Sequence, residues 1–174
     1  MKKAVIFCSS SDSIDRAFNE GAAKVVEGLC AKGYEIVSGG SFRGTMGVVA
    51  DTVVRCGGYH KGVLPRFMKH FVYDGLSETV WTDTMAQRKE EMRRGSEAAI
   101  ALPGGIGTLD EIIETLVLKK LGQYDGRVML LNLGGFFDPF LALLDHYVET
   151  EMLSLADREL MEVFPSEEAL LGSF

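Results

Sequence analysis

The sequence has 174 residues, of which 47% are hydrophobic and 25% charged, as is typical of one globular domain. It carries 25 Asp and Glu side chains against 18 Lys and Arg side chains, a net charge of -7. This acidic balance argues against a nucleic-acid polymer or an anionic membrane as partner, because both attract positive charge. Its 20 glycines, about 11% of the chain against a usual ~7%, are the unusual feature.

The first residues resemble the start of a signal peptide, with two lysines before an apolar run over residues 4–8. That run is shorter than the ~7–15 residues such a segment needs, and Asp12 and Asp15 follow it. We interpret it as a first strand and expect a cytoplasmic protein. The three cysteines and three histidines lack the spacing of a disulfide framework or a metal site, so we expect neither metal nor cofactor.

Apolar runs and helical patterns alternate along the chain, which predicts a parallel sheet covered by helices. We expect one domain over residues 1–174: an α/β, Rossmann-like, doubly wound sheet of six to seven mainly parallel strands with helices on both faces. In chain order, the pattern predicts strands over residues 4–9, 34–38, 61–64, 79–82, 98–102, 128–133 and 160–164, and helices over about 14–29, 46–54, 84–94, 107–121 and 140–150.

Ligands of such a sheet bind beyond the carboxyl ends of its strands. The loop with the most specific signal has the sequence PGGIGTLDE over residues 103–111. Its glycines allow close backbone approach, and the helix that follows offers free N–H groups to a phosphate. The alternative is a tight turn in which Thr108 or Asp110 caps the helix. A dinucleotide fingerprint is excluded because Asp110 stands where glycine is required, and no Walker A lysine follows the glycines.

Glu111 lies in the first turn of that helix, beside an expected buried stripe of Leu109, Ile112, Ile113 and Leu116. It is therefore either a carboxylate that interacts with the helix dipole or one held beside a phosphate-bearing ligand.

The helix over 84–94 places Arg88 on one face with Met85 and Met92. A guanidinium on a packed face needs an anionic partner, either a structural carboxylate or a ligand phosphate. We expect the remaining charged residues to form a solvated face: Lys89, Glu90, Arg93 and Arg94. A third loop, GGSFRGTMG over residues 39–47, is either a turn or an anion-binding nest.

Together, three motifs resemble the lonely-guy (LOG) family of cytokinin-activating phosphoribohydrolases. PGGIGTLDE fits the family's PGGxGTxxE, MAQRKEEM over 85–92 fits MHxRKxxM, and SGGSFRGTMG over 38–47 resembles YGGGxxGLMG. Weaker similarity extends over almost the whole chain. Four residues depart from the family pattern: Ser9, Ser41, Thr45 and Ala86.

The resemblance implies hydrolysis of the N-glycosidic bond of a nucleoside 5′-monophosphate, AMP or N6-prenyl-AMP, by a homodimer or higher homo-oligomer. Arg88 and Glu111 would be the catalytic pair. The remaining residues that it implies are, for the 5′-phosphate, Gly104, Gly105, Gly107 and Thr108, and, for the rest of the nucleotide, Gly39, Gly40, Met85 and Lys89.

Two other readings remain open at this point. A non-catalytic module that carries a nucleotide or cofactor would use the same glycine loops. A pyridoxal-phosphate decarboxylase is less favoured, since 174 residues is short for that class and no lysine lies in a recognisable cofactor-binding context.

Overall fold

The computed structural model describes residues 2–174, which form seven strands and seven α-helices. The strands are β1 (Lys2–Phe7), β2 (Tyr34–Ser38), β3 (His60–Pro65), β4 (Glu78–Thr82), β5 (Ala98–Ala101), β6 (Arg127–Leu131) and β7 (Met161–Phe164). The helices are α1 (Arg16–Ala31), α2 (Gly44–Arg55), α3 (Met85–Arg93), α4 (Ile106–Lys120), α5 (Asp138–Glu149), α6 (Leu155–Arg158) and α7 (Glu167–Gly172). Two short 3-10 helices span Arg66–Phe71 and Leu133–Gly135.

All seven strands lie in one sheet in the order β4-β3-β2-β1-β5-β6-β7, and every neighbouring pair is parallel. The predicted Rossmann-like fold is therefore confirmed. The order reverses between β1 and β5, where Ala4 pairs with Ala98 and Phe7 with Ala101. This junction is the switch point at which doubly wound sheets bind ligands.

Two apolar layers cover the sheet because successive side chains of each strand point to opposite faces. Ala4 and Ile6 of β1 pack with α1, α2 and α7 on one face. Val5 and Phe7 pack with α3, α4 and α5 on the other. The central strand β5 has the sequence AAIA and is fully buried, so it brings helices of both layers close to the switch point.

The structure corrects the sequence analysis at several places. The 3-10 helix Arg66–Phe71 and the helices α6 and α7 were not predicted. They are too short to show the apolar period from which longer helices are recognised. Strand β3 extends by one residue at each end of the predicted range 61–64 and includes Pro65, because a proline at a strand's end loses no essential hydrogen bond.

Gly40 shows what the glycines do for the fold. It follows β2 with a φ of +70°, and a Cβ there would lie 2.9 Å from the backbone Cα of Gly62 in β3. Its own N–H donates to Ser38 Oγ at 3.1 Å. The turn therefore needs glycine both for its left-handed backbone and for its close approach to the next strand.

We expect Gly40→Ala to lower the free energy of unfolding by about 2–4 kcal/mol, since backbone strain and overlap with Gly62 add. Gly122→Ala is the matched control, because Gly122 has a φ of +69° but open space around it. That variant should lose only about 1 kcal/mol from strain. Urea unfolding of both variants measures the difference, and equal losses would contradict the packing argument.

Candidate active site

A cavity of about 350 Å³ lies at the switch point, beyond the carboxyl ends of β1 and β5. Its walls come from the loop after β1, from the first residues of α2 and α4, and from one face of α3. Most of the lining side chains are apolar or small: Ile6, Cys8, Ser9, Ser10, Ser11, Gly39, Met46, Met68, Met85, Met92, Gly105, Ile106, Gly107 and Thr108, with Arg88 and Glu111 as the charged pair.

Arg88 and Glu111 form a buried ion pair in this cavity. Arg88 Nη1 lies 3.2 Å from Glu111 Oε1, and each residue is only 7% exposed. Arg88 Nε also donates to the carbonyl oxygen of Val63 at 2.9 Å. The expectation that Arg88 has an anionic partner is thus met within the chain by Glu111.

Local sequence explains why the pair is held so firmly. The start of α3 is fixed by a capping box in which Thr84 Oγ1 accepts from Gln87 N–H and Gln87 Oε1 accepts from Thr84 N–H. Arg88 follows at once and turns inward. Gly39 completes the enclosure, since a Cβ there would overlap Arg88 Nη2. The glycine is needed because the guanidinium occupies the space of its side chain.

Burial raises the pKa of Glu111 from 4.5 to about 7. Loss of water around the carboxylate is the largest cause, and the nearby charge of Asp110 adds to it. Arg88 and, more weakly, Lys89 lower the pKa of Glu111 but do not offset the loss of solvent. A carboxyl that titrates near neutrality suits a group that accepts or donates a proton during catalysis.

The structure corrects the predicted solvated face of α3. Lys89 Nζ lies 2.9 Å from Asp110 Oδ2 and also pairs with Glu114, and its side chain is only 14% exposed. Arg93 is buried and lies 2.9 Å from Glu114 Oε1. Charge pattern on one helix could not predict this, since the partners come from α4. Glu90 and Arg94 are exposed, as expected.

Helix α4 buries polar residues on the face expected to be apolar. Its buried positions are Thr108, Glu111, Ile112, Thr115 and Leu116. Ile113 was predicted to be buried but is 41% exposed, because it lies one helical step beyond Ile112. The buried face of α4 therefore combines the core residues Ile112 and Leu116 with three polar residues, two of which line the cavity.

The amino end of α4 is open to the cavity. Gly105 is the N-cap and provides no side-chain cap, and neither Thr108 nor Asp110 takes that role. A side chain on Gly105 or Gly107 would meet open space. The Thr108 hydroxyl is buried and, within residues 2–174, has no hydrogen-bond partner. Free N–H groups and an unpaired hydroxyl form a seat for an anion.

The implied nucleotide-binding residues divide into two groups. Gly39, Met85, Gly105, Gly107 and Thr108 line the cavity.

The other implied residues stand behind the cavity lining. Gly104 lies under the Thr108 hydroxyl, Gly40 lies against β3, and Lys89 is bound to α4 carboxylates.

The lining residues that were not named as site residues include Cys8, Met46, Met68 and Ile106. Met46 and Ile106 lie in the two predicted glycine loops, and Cys8 lies at the carboxyl end of the first predicted strand, where ligands were expected to bind. Burial, and next the charge of Glu111, raise the pKa of its thiol. Met68 comes from the unpredicted 3-10 helix, so no signal in the sequence pointed to it.

A second and larger groove, of about 670 Å³, lies between α3 and α4 away from the ion pair. It contains neither Arg88 nor Glu111, and Ala86, Arg93, Glu114 and Leu118 are among its lining residues. Size alone therefore does not indicate the chemistry. The buried Arg88–Glu111 pair and the open helix end both lie at the smaller cavity, which makes it the candidate site.

The fold and the cavity define a Rossmann-like α/β protein in which a buried Arg–Glu pair lies beside an open helix end at the switch point. Residues 46–174 match the family described as "possible lysine decarboxylase". The chain is 36% identical over 168 residues to the probable cytokinin riboside 5′-monophosphate phosphoribohydrolase LOGL1 of Oryza sativa subsp. japonica, with 95% of this chain and 75% of the relative covered. It is 31% identical over 172 residues to the cytokinin riboside 5′-monophosphate phosphoribohydrolase LOG5 of Arabidopsis thaliana, with 98% and 75% covered. The chain belongs to the LOG family.

The fold is shared more widely than the family. The molybdenum cofactor carrier protein of Chlamydomonas reinhardtii has a TM-score of 0.76 to this chain and 18% identity, with 99% of this chain and 96% of that one covered. At this identity the likeness concerns the fold alone.

Two further observations concern the described part of the chain. Among residues 2–174, no three His, Cys, Asp or Glu side chains are grouped so as to hold a metal ion. Every helix in this range is too short or too polar to cross a membrane.

The raised pKa of Glu111 makes stability depend on pH. At pH values below 4.5, the pKa of the unfolded carboxyl, both states hold the proton. Between 4.5 and about 7 the unfolded chain releases it while the folded protein keeps it, so stability falls as the pH rises. We expect the stability of Glu111→Gln, which cannot ionise, to rise relative to that of the wild type by about 3 kcal/mol between pH 4.5 and a pH above ~7.

Urea unfolding of both proteins across this pH range measures the effect. Their difference near pH 4.5 is the internal control, because both side chains are then largely uncharged in the folded state. A difference that stays constant with pH would contradict the raised pKa.

Proposed function

We propose that the chain hydrolyses the N-glycosidic bond of a nucleoside 5′-monophosphate, AMP or N6-prenyl-AMP, and releases the free base and ribose 5-phosphate. The observation that carries this proposal is the buried Arg88–Glu111 pair in a cavity that also contains the open amino end of α4. The named activity of the family's plant members, phosphoribohydrolase, agrees with it.

The 5′-phosphate would bind at the start of α4. Gly105 and Gly107 leave the backbone N–H groups accessible, and the buried Thr108 hydroxyl is available to donate a hydrogen bond. Gly104 supports this arrangement, because a Cβ there would overlap Thr108 Oγ1. Glu111 follows Thr108 by one helical turn on the same buried face. A phosphate at the helix end therefore directs the sugar of the nucleotide towards the Glu111 carboxylate.

The chemistry follows from the charge that develops on the sugar. As the bond from C1′ to the base nitrogen breaks, positive charge spreads over C1′ and the ring oxygen. The ionised Glu111 carboxylate would stabilise that charge and accept a proton from the water that attacks C1′. Arg88 keeps the carboxylate oriented and favours its ionised form. The electron pair of the broken bond goes to the base, which takes up a proton as it leaves.

The base would occupy the apolar part of the cavity. Four methionines line it, Met46, Met68, Met85 and Met92. Methionine side chains adapt to ligand shape because they are flexible and polarisable. Such a lining accommodates both a bare adenine and one that carries an apolar N6 substituent. Gly39 would lie beside the nucleotide. Gly40 and Lys89 would not contact it, and would instead hold the surrounding structure in place by packing on β3 and by pairing with α4.

We also propose that the protein is a homodimer that associates through α4. This helix presents an apolar stripe to solvent, formed by Ile106, Ile113, Val117 and Leu121, of which Ile106 is 87% exposed. Ile106 also lines the cavity. A second copy across a two-fold axis would cover the same stripe on both chains. We place the protein in the cytoplasm, where free thiols such as those of its three cysteines persist.

Glu111→Gln and Arg88→Ala should each lower the rate of adenine release from AMP by at least ~100-fold, since each removes a member of the acid–base pair. Chromatography of the released base and ribose 5-phosphate measures the rate for AMP and N6-prenyl-AMP. Arg94→Ala is the matched control on the same helix, because Arg94 is exposed and outside the cavity. It should keep nearly full activity.

Unimpaired Glu111 or Arg88 variants would refute the assigned roles. If the wild type cleaves neither nucleotide, the proposed substrate is wrong. Thermal stabilisation by AMP without any turnover would instead favour a non-catalytic nucleotide carrier.

Val117→Lys should weaken dimerisation by about 100-fold, because it places an unpaired charge in the proposed interface. Light scattering coupled to size-exclusion chromatography measures the mass across protein concentrations. Met152→Lys is the control, since Met152 is 78% exposed and lies outside α4. A wild type with the mass of one chain would contradict the proposal, as would equal effects of the two variants.

A further inference from the structure

Two cysteines outside the cavity lie against one another. Cys30 is in the last turn of α1 and is partly buried, and Cys56 is the exposed C-cap residue of α2. The two helices pack side by side on one face of the sheet. The two residues are 26 positions apart in the sequence, yet Cys56 is close enough to help raise the pKa of the Cys30 thiol.

The chain after α2 holds this arrangement in place. Gly57 turns the backbone with a φ of +63°, and Gly58 N–H donates to the carbonyl oxygen of Val53 at 3.0 Å. A Cβ on Gly58 would lie 3.0 Å from Cys30 Sγ. The residues that directly follow Cys56 therefore lie against the Cys30 thiol.

We propose that Cys30 and Cys56 are a redox modification site, at which a peroxide converts the two thiols into a reversible disulfide within one chain. The two sulfurs differ in access, as a two-step reaction requires. Cys56 is exposed, so an oxidant in solution reaches it first. Cys30 is shielded, and burial together with the neighbouring Cys56 raises its pKa to about 11. A shielded, protonated thiol beside an exposed one suits the resolving cysteine, which reacts in the second step with the oxidised sulfur of the first.

The reaction balances with hydrogen peroxide as the oxidant. The Cys56 sulfur, as thiolate, attacks one peroxide oxygen, the O–O bond breaks, and sulfenic acid and one water form. The Cys30 sulfur then attacks the Cys56 sulfur, the S–O bond breaks, and the departing hydroxide takes the Cys30 proton to form a second water. Two thiols and one peroxide therefore yield one disulfide and two waters, and a dithiol reductant reverses the change.

The disulfide would join the carboxyl ends of α1 and α2 and enclose residues 31–55. This segment contains β2, the glycine loop after it and all of α2. Because the cross-link restricts the unfolded chain, it should raise Tm by about 5–10 °C. The third cysteine, Cys8, lies in the core beside Glu111 and Arg88 and has no part in the reaction.

The test treats the intact protein with hydrogen peroxide and then removes the oxidant. The thiol count in denaturant should fall from three to one, and peptide mass spectrometry should show Cys30 joined to Cys56. Tm should rise as stated and return to its first value with dithiothreitol. Cys56→Ser, an exposed substitution, should keep its two remaining thiols and an unchanged Tm.

Cys30→Ser tests the order of the steps. It should accumulate sulfenic acid on Cys56, trapped as a dimedone adduct, because the resolving thiol is gone. Disulfides between chains, a bond that involves Cys8, over-oxidation of Cys56 to sulfonic acid in the wild type, or an unchanged thiol count would each overturn the proposal.

Discussion

The whole site depends on the burial of one guanidinium beside one carboxyl group. Arginine cannot lose its charge inside a protein, so Arg88 is tolerable only where every neighbour is shaped for it. The carbonyl of Val63 and the carboxyl of Glu111 contact it, and Gly39 leaves room for it. Strand β3, helix α4 and the loop after β2, which are distant in sequence, are thereby brought together around a single cation. The cost of removing water from Glu111 is what brings its pKa to about 7.

Much of this arrangement can be predicted from the sequence because the periodic signals are long. The strand and helix order and the parallel sheet follow from apolar runs and helical periodicity. The two catalytic candidates follow from the resemblance of motifs such as PGGIGTLDE to the LOG family. The sequence fails where partners come from another element. The sequence predicts that Lys89 and Arg93 are exposed on α3, yet they pair with Asp110 and Glu114 of α4. Ile113 was predicted to be buried in the core but is exposed, since the buried face of α4 includes polar Thr108, Glu111 and Thr115.

The comparison of the two cavities separates size from chemistry. The larger groove between α3 and α4 contains the ion pair of Arg93 and Glu114, and Arg93 Nη1 there has no hydrogen-bond partner within the described residues. The smaller cavity likewise contains a buried Thr108 hydroxyl that is unpaired within those residues. Unpaired polar groups therefore do not distinguish the two. The smaller cavity differs in its carboxyl group, whose pKa is about 7, and in the open amino end of α4.

The pairing of β1 with β5 has a consequence for how the protein acquires its site. These two central strands are neighbours in space, yet three strands and three helices separate them along the chain. During synthesis β1 stays unpaired on that side until residues 98–101 have emerged. Contacts of such long sequence separation form slowly, and until then an apolar strand edge is exposed. The pairing of β1 with β5 forms the edge at which the cavity lies. Until this pairing is complete, the nascent chain is exposed to aggregation.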